Sequence, residues 1–376
     1  MKKSTRLGVI AASAALVVSG LTTVAAPASA ASCSGAIGIM APLTGGVAFV
    51  GKEQQAFAQL AVADYNAKNG TTFTTKDYDT QLDAAQASTQ APNILANKEV
   101  LGVMGPAGSQ EVLAIGGLLG ANNLALVSPS ATRTNLTAGT YPNFFRPIPN
   151  DGLQGPGDAT YMAKNLKAKE VTVIEEKTAY GTGLAQAVVS TLKTLKVKVT
   201  NIAVNEKGAD YAAVVTRISK TTNVVFVTFQ DAAKSEQVAQ ELIKQKKKAI
   251  VFGSDGSDQP TFKTPGTLVS GFAPDVTTIA AASAVVAAYK EKYKADVTTF
   301  GPPAYVAAQV IVEAAGRACA AGKPNDRAAV LEEIRKTNIK QTIMGSPLQF
   351  TANGDVKGGR FYIFQTQADG KRKTIA

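Results

Sequence analysis

The stretch Ala125-Leu126-Val127-Ser128-Pro129-Ser130-Ala131-Thr132 decides how this chain is read. Ala125 to Val127 is a short apolar run that stops abruptly at Pro129, and it reads as a buried parallel strand. The residues after it form a tight turn of small hydroxyl side chains. One unit earlier, Val100 to Met104 ends in the same way, in Gly105-Pro106-Ala107-Gly108-Ser109, with a helix predicted to start at Ser109. In open α/β sheets, ligands bind in the crevice beyond the carboxyl ends of the strands. Two neighbouring strand ends with hydroxyls and free backbone N–H groups make a pocket for a small anion such as a carboxylate. Helix capping is the plainer use of the same serines and threonines.

Outward from these turns, strands and helices alternate. Strands are predicted at Ala36–Ala41 and Phe73–Asp79, with helices at Gly51–Lys68 and Asp83–Lys98, and two further strand–helix units run to about Pro142. This is a doubly wound α/β lobe. A second set follows. Its strands are Val171–Ile174, Lys198–Val204, Val224–Thr228 and Ala249–Phe252. Its helices are Tyr180–Leu195, Asp210–Lys220 and Ala233–Lys246, and in the first of these Leu184, Val188 and Leu192 share a face.

Composition bounds the rest. The chain has 376 residues, 45% of them hydrophobic, enough for two domains. Lys2, Lys3 and Arg6, an apolar run from Leu7 to Val18 and the small residues Ala28-Ser29-Ala30 mark residues 1–30 as a secretory signal peptide. Ser13, Ser19, Thr22, Thr23 and Pro27 break the run, against a membrane anchor. Removing the leader takes the net charge from +11 to +8. The basic residues are spread over helices and turns, apart from Lys244–Lys248 and Lys371–Lys373, and no aromatics interleave with them, so no nucleic-acid partner is expected.

The chain contains no histidine and no tryptophan. That removes the Ser-His-Asp triad, the Cys-His pair and the commonest metal ligand. Gly102 to Gly108 has the wrong spacing for a dinucleotide loop, and Pro106 intrudes. Neither an enzyme nor a cofactor or metal is expected. Cys33 and Cys319 suggest one disulfide in an exported protein. Lipidation of Cys33 is the alternative, weakened by Ala30 at the position where such sites carry Leu.

The opening Ile37-Gly38-Ile39-Met40-Ala41-Pro42-Leu43-Thr44-Gly45, the two pocket turns, Phe145-Arg146-Pro147, Tyr180-Gly181-Thr182-Gly183 and Gly253-Ser254-Asp255-Gly256 occur in an order that resembles one family. It is the periplasmic solute-binding proteins that feed ABC importers for branched-chain amino acids, and the likeness runs from about Ile37 to about Gln365. The resemblance implies two doubly wound α/β lobes joined by a hinge of three crossings, a clamshell that closes on its ligand. It places residues 31–146 and 275–345 in the first lobe and 147–274 and 346–376 in the second. Leu268 to Pro274 is expected to cross back, and Met344 to Phe350 to cross a third time.

On this reading Ser109 and Thr132, with the backbone of Ala107 and Ser130 and the intervening Ala131, hold a ligand carboxylate. The resemblance implies that Tyr180 faces the ligand and that Asp255 receives an α-ammonium, with Phe229 walling the side-chain pocket. Val50 departs from the family's pattern, which often has Tyr beside the glycine matching Gly51. The expected partners are a small amino acid, apolar and branched, and the permease subunits of an ABC importer. The chain itself is expected to be a monomer, exported to the periplasm or cell surface. The rival ligand is amine-free, an aromatic carboxylate or an amide such as urea, and the rival role is a ligand-sensing module.

Overall fold

A computed structural model describes Met1 and residues 33–376. Apart from Met1, the signal peptide read at residues 1–30 lies outside the described residues. From Cys33 the chain runs through β1 (Ser34–Ala41), α1 (Ala48–Asn69), β2 (Thr72–Asp79), α2 (Ala84–Ala96), β3 (Val100–Met104), α3 (Ser109–Gly120), β4 (Ala125–Val127) and β5 (Phe144–Phe145). These strands form one parallel sheet in the order β2-β1-β3-β4-β5. Every residue of β3 and β4 is buried, as both faces of a parallel sheet are covered. A helix was expected after β4, but only a short 3-10 turn forms, Thr134–Thr137. The Ser128 hydroxyl instead ties this segment to the neighbouring turn, donating to Pro106 O at 2.6 Å and accepting from Ala131 N at 3.0 Å.

The second lobe follows with α4 (Asp151–Lys164), β6 (Glu170–Glu176), α5 (Ala179–Thr194), β7 (Lys198–Val204), α6 (Tyr211–Thr216), β8 (Val224–Val227), α7 (Ala232–Lys244), β9 (Ile250–Gly253) and β10 (Leu268–Gly271). The α6 helix is shorter than predicted and is capped by Asp210. Leu268–Gly271, read as part of a crossing, is a strand. It runs parallel to β9 and antiparallel to a strand almost a hundred residues later. The chain then returns to the first lobe as α8 (Ser283–Tyr293), α9 (Gly301–Ala320) and α10 (Arg327–Arg335), with a hairpin of β11 (Asn338–Ile339) and β12 (Leu348–Gln349). It ends in β13 (Tyr362–Thr366) and β14 (Arg372–Thr374), which complete a seven-stranded sheet, β14-β13-β10-β9-β8-β6-β7.

Three crossings join the sheets, and two are fastened to each other. Arg146 N donates to Gly354 O at 3.0 Å. The fully buried Arg146 guanidinium reaches Asp355 Oδ1 at 2.6 Å, the carbonyls of Ala131 and Arg133 at 3.0 and 2.9 Å, and Thr137 Oγ1 at 2.7 Å. Gly354 has φ +94°, and a Cβ there would sit 2.1 Å from Phe144 O, so only glycine lets the strands approach. Leu348 and Phe350 pack in the first lobe's core, with Phe350 against Phe145 at 5.2 Å. These contacts carry the first lobe's core at least as far as Phe350. At the start of β1, Cys33 is joined by a disulfide to Cys319 in α9, with Cα atoms 5.9 Å apart.

Candidate functional site

The first-lobe half of the site is built from the ends of β1, β3 and β4. Gly105 has φ +121°, and a Cβ there would lie 2.2 Å from Met40 O, so the turn after β3 can tuck against β1 only through glycine. The Ser130 hydroxyl donates to Ala107 O at 2.9 Å and accepts from Gln54 Nε2 at 2.9 Å. The Ser109 hydroxyl accepts from Arg133 N at 3.2 Å. The two turns are thus held as one rigid ledge. Beneath it, buried Glu111 accepts the Gly108 N–H. Burial pushes the Glu111 carboxyl up to about 8, against the Gly108 hydrogen bond.

The second-lobe half comes from the start of α5 and the turn after β9. Thr178 caps α5 by accepting from Gly181 N at 2.9 Å, which sets Tyr180 at the helix mouth. Tyr180 Oη donates to Asp255 Oδ1 at 2.5 Å and accepts from Gly256 N at 3.4 Å. Gln259 Nε2 closes the same turn on Gly256 O at 2.6 Å. Behind them α4 presents two further buried acids. Asp158 accepts from the Ser270 hydroxyl at 2.8 Å, whereas both oxygens of Asp151 lack a hydrogen-bond partner.

The halves meet in a closed cleft. Gln110 Nε2 of α3 donates to Gln230 Oε1 at 3.2 Å, Arg133 Nη1 donates to Ala179 O, and the Thr299 hydroxyl donates to Asp258. Between the lobes lies a small pocket. Ala107, Ser109 and Ser130 line it from one side, and Tyr180, Gln230, Asp255, Gly256 and Gln259 from the other. Pro42, Val47, Val50, Leu82 and Phe300 add an apolar wall on the first lobe.

Five of the eight residues singled out from sequence therefore share one pocket: Ala107, Ser109, Ser130, Tyr180 and Asp255. The other three do not line it. Ala131 is fully buried in the first lobe's second core layer. The Thr132 hydroxyl is buried without a hydrogen-bond partner, and its carbonyl accepts from Asp151 N at 2.9 Å. Phe229, expected as a wall, points into the second lobe's core against Tyr211, 5.6 Å between ring centroids, and its neighbour Gln230 takes the wall position. Gln230, Gln259, Leu82 and Phe300 went unread. None carries a local motif, and Phe300 reaches the pocket from a loop some 250 residues after the first strand.

The second-lobe half gathers three buried carboxyl groups. Burial raises Asp255 to about 6, offset in part by the Tyr180 hydroxyl. Burial, and then the Asp255 charge, raise Asp151 to about 7. Asp158 is pushed well above the usual carboxylate range by burial. The Tyr180 phenol is raised by burial and by Asp255 and stays protonated as a donor. Such an arrangement suits a small cation facing Asp255 and an anion facing the ledge opposite. Among the described residues no group of three acids, cysteines or histidines is placed to hold a metal ion.

The sequence model of the periplasmic binding protein family matches residues 36–371. The chain belongs to that family. This periplasmic binding protein is 30% identical, over 355 residues, to Leu/Ile/Val-binding protein homolog 3 of Brucella melitensis; the match covers 92% of this chain and 94% of that one. Its fold is that of the branched-chain amino acid transporter substrate-binding protein of Streptococcus pneumoniae solved with isoleucine, with a TM-score of 0.81 at 23% identity over 91% of this chain and 99% of that one. It is also that of an ABC transporter solute-binding protein of R. palustris solved with benzoate, with a TM-score of 0.80 at 17% identity over 91% and 96%. The fold thus houses both amine-bearing and amine-free carboxylates, and the choice between them rests on side chains.

Proposed function

We propose that this binding protein captures a branched-chain amino acid between its lobes and delivers it to the permease subunits of an ABC importer. The observation that carries the reading is the polarity of the cleft: hydroxyl and N–H donors on one lobe, a buried acid on the other, and an apolar wall between. The ledge of Ala107, Ser109 and Ser130 takes the α-carboxylate. Asp255, oriented by Tyr180, takes the α-ammonium. Val47, Val50, Leu82 and Phe300 face the aliphatic side chain, where Val50 offers packing and no hydroxyl. The Leu/Ile/Val-binding relative supports this ligand class. The chain catalyses nothing in this reading, and it acts as an exported monomer in the periplasm or at the cell surface. Among the described residues its lobes comprise 33–146 with 275–350, and 147–274 with 351–376.

Thermal-shift screening of the purified protein against the amino acids, benzoate and urea tests this. Isoleucine, leucine and valine should raise the melting temperature. Stabilisation by benzoate or urea alone would transfer the reading to an amine-free ligand.

A further inference from the structure

The cleft lies at the carboxyl ends of the second lobe's parallel strands, and the opposite pole gathers basic residues. There the helix-to-strand connections preceding β6, β7, β8 and β9 lie side by side. Lys198 N donates to Lys169 O at 3.0 Å, Asn223 N to Glu170 O at 2.8 Å, and Ile250 N to Asn223 O at 2.9 Å. With strands about 4.8 Å apart, four connections span about 15 Å. The segments 164–170, 193–198, 217–223 and 244–250 hold twelve lysines and arginines and one acid. That acid, Glu170, is buried and pairs with Lys198 at 3.1 Å. Of the cations, Lys247 is half-buried and the other eleven are exposed.

Cations do favour helix carboxyl ends through the helix dipole. The dipole does not require them at the residue that follows in the left-handed conformation, where glycine or asparagine is least strained. After α1, α3 and α9 of the first lobe that residue is Gly70, Asn123 and Gly322. After α4, α5 and α7 of the second lobe it is Lys167, Lys196 and Lys246, with φ 54°, 58° and 53°. Only Lys294, after α8, repeats this in the first lobe. Two isoleucines stand exposed at the same end, Ile243 at 59% and Ile250 at 38%.

We propose that this pole docks on an anionic phospholipid bilayer, leaving the cleft on the far side free to open and close. Lysines supply point charges to headgroup phosphates without a shaped pocket. The exposed isoleucines favour a bilayer over a soluble polyanion, because they gain by entering the headgroup boundary.

The test is co-sedimentation of the purified disulfide-bonded protein with vesicles. Binding is expected to phosphatidylglycerol mixed equally with phosphatidylcholine, not to phosphatidylcholine alone, and should be lost at about 0.5 M salt. A variant with one change per connection, Lys167→Asn, Lys196→Asn, Lys220→Asn and Lys246→Asn, should bind more than about tenfold more weakly, since each lysine near the surface contributes. Asparagine tolerates the left-handed backbone, and an unchanged melting curve verifies the fold. The control carries Lys68→Asn, Lys76→Asn, Lys98→Asn and Lys323→Asn on the first lobe and should bind like the parent. Equal loss in the control, no loss in the test variant, or binding to poly(glycerol phosphate) without binding to vesicles would each overturn the proposal.

Discussion

Replacing Asp255 by Asn separates the two ligand classes most sharply. Asp255 is 3% exposed, and its Oδ1 accepts the Tyr180 hydroxyl at 2.5 Å. Asn keeps that bond and the shape of the turn, and removes only the charge. A carboxylate and an ammonium about 3 Å apart attract by about 5 kcal/mol at an effective dielectric constant of 20. Part of this offsets the desolvation of both groups, and truncating one partner of such a pair costs about 2–5 kcal/mol. The variant should therefore bind isoleucine, leucine or valine at least about 30-fold more weakly, with the loss in the enthalpy of calorimetric titration. Tyr180→Phe is the companion. It removes one hydrogen bond to a charged group and should cost less, about 1.5–3 kcal/mol. If Asp255→Asn binds within about threefold of the parent, no ammonium sits on Asp255 and the amine-bearing ligand is wrong.

Reducing the Cys33–Cys319 bond, which spans 286 residues, should cost about 2–5 kcal/mol of stability, read as a lower melting temperature with reductant. Asp355→Ala leaves the Arg146 cation buried without its carboxylate. With Asp355 itself 26% exposed the loss should fall near the low end of the range for buried pairs, about 3 kcal/mol by urea unfolding. Saturating ligand should reduce the radius of gyration in small-angle scattering, and an unchanged radius would count against closure. Asp151 titrates near 7 in the folded state against 3.8 for a free carboxyl, so folding stability falls as pH rises through that window. Asp151→Asn should leave stability unchanged below pH 4 and raise it above pH 7, by at most about 4 kcal/mol, in denaturant titrations at both ends.

How much was legible depended on whether a residue's environment is set nearby in the chain. The β3 and β4 runs are apolar throughout because both faces of their sheet are covered, and the turns after them could be placed from Gly105 and Pro129 alone. Leu268–Gly271 misled because its partner, β13, lies far along the sequence: Leu268 pairs with Gln365. A four-residue apolar run looks the same in a crossing as in a strand. Phe229 misled for a related reason. Beyond the end of β8, adjacent side chains point to opposite sides, so one residue's difference sends Phe229 into the core and Gln230 to the pocket. Phe300 and Leu82 contribute through tertiary placement that no local pattern encodes.

The placement of acids bears on how the ligand drives closure. The direct latches between the lobes, such as the Gln110–Gln230 pair, are few and partly exposed. Against them, the closed cleft holds Asp255, Asp151 and Asp158 buried, and burial raises all three carboxyl groups, favouring their protonated forms when no cation faces them. A ligand shifts the equilibrium only by its differential contacts with the closed form. Moving from mostly open to mostly closed takes about 5.5 kcal/mol. An ammonium on Asp255 contributes about 2–5 kcal/mol, and a carboxylate on the Ser109 ledge about 1.5–3 kcal/mol per charge-assisted bond. Neither alone reliably reaches the requirement, whereas together they span about 3.5–8 kcal/mol, a range that brackets it. Because the two proposed recognition groups sit on different lobes, a ligand bearing both a carboxylate and an ammonium would gain contacts from both lobes on closure.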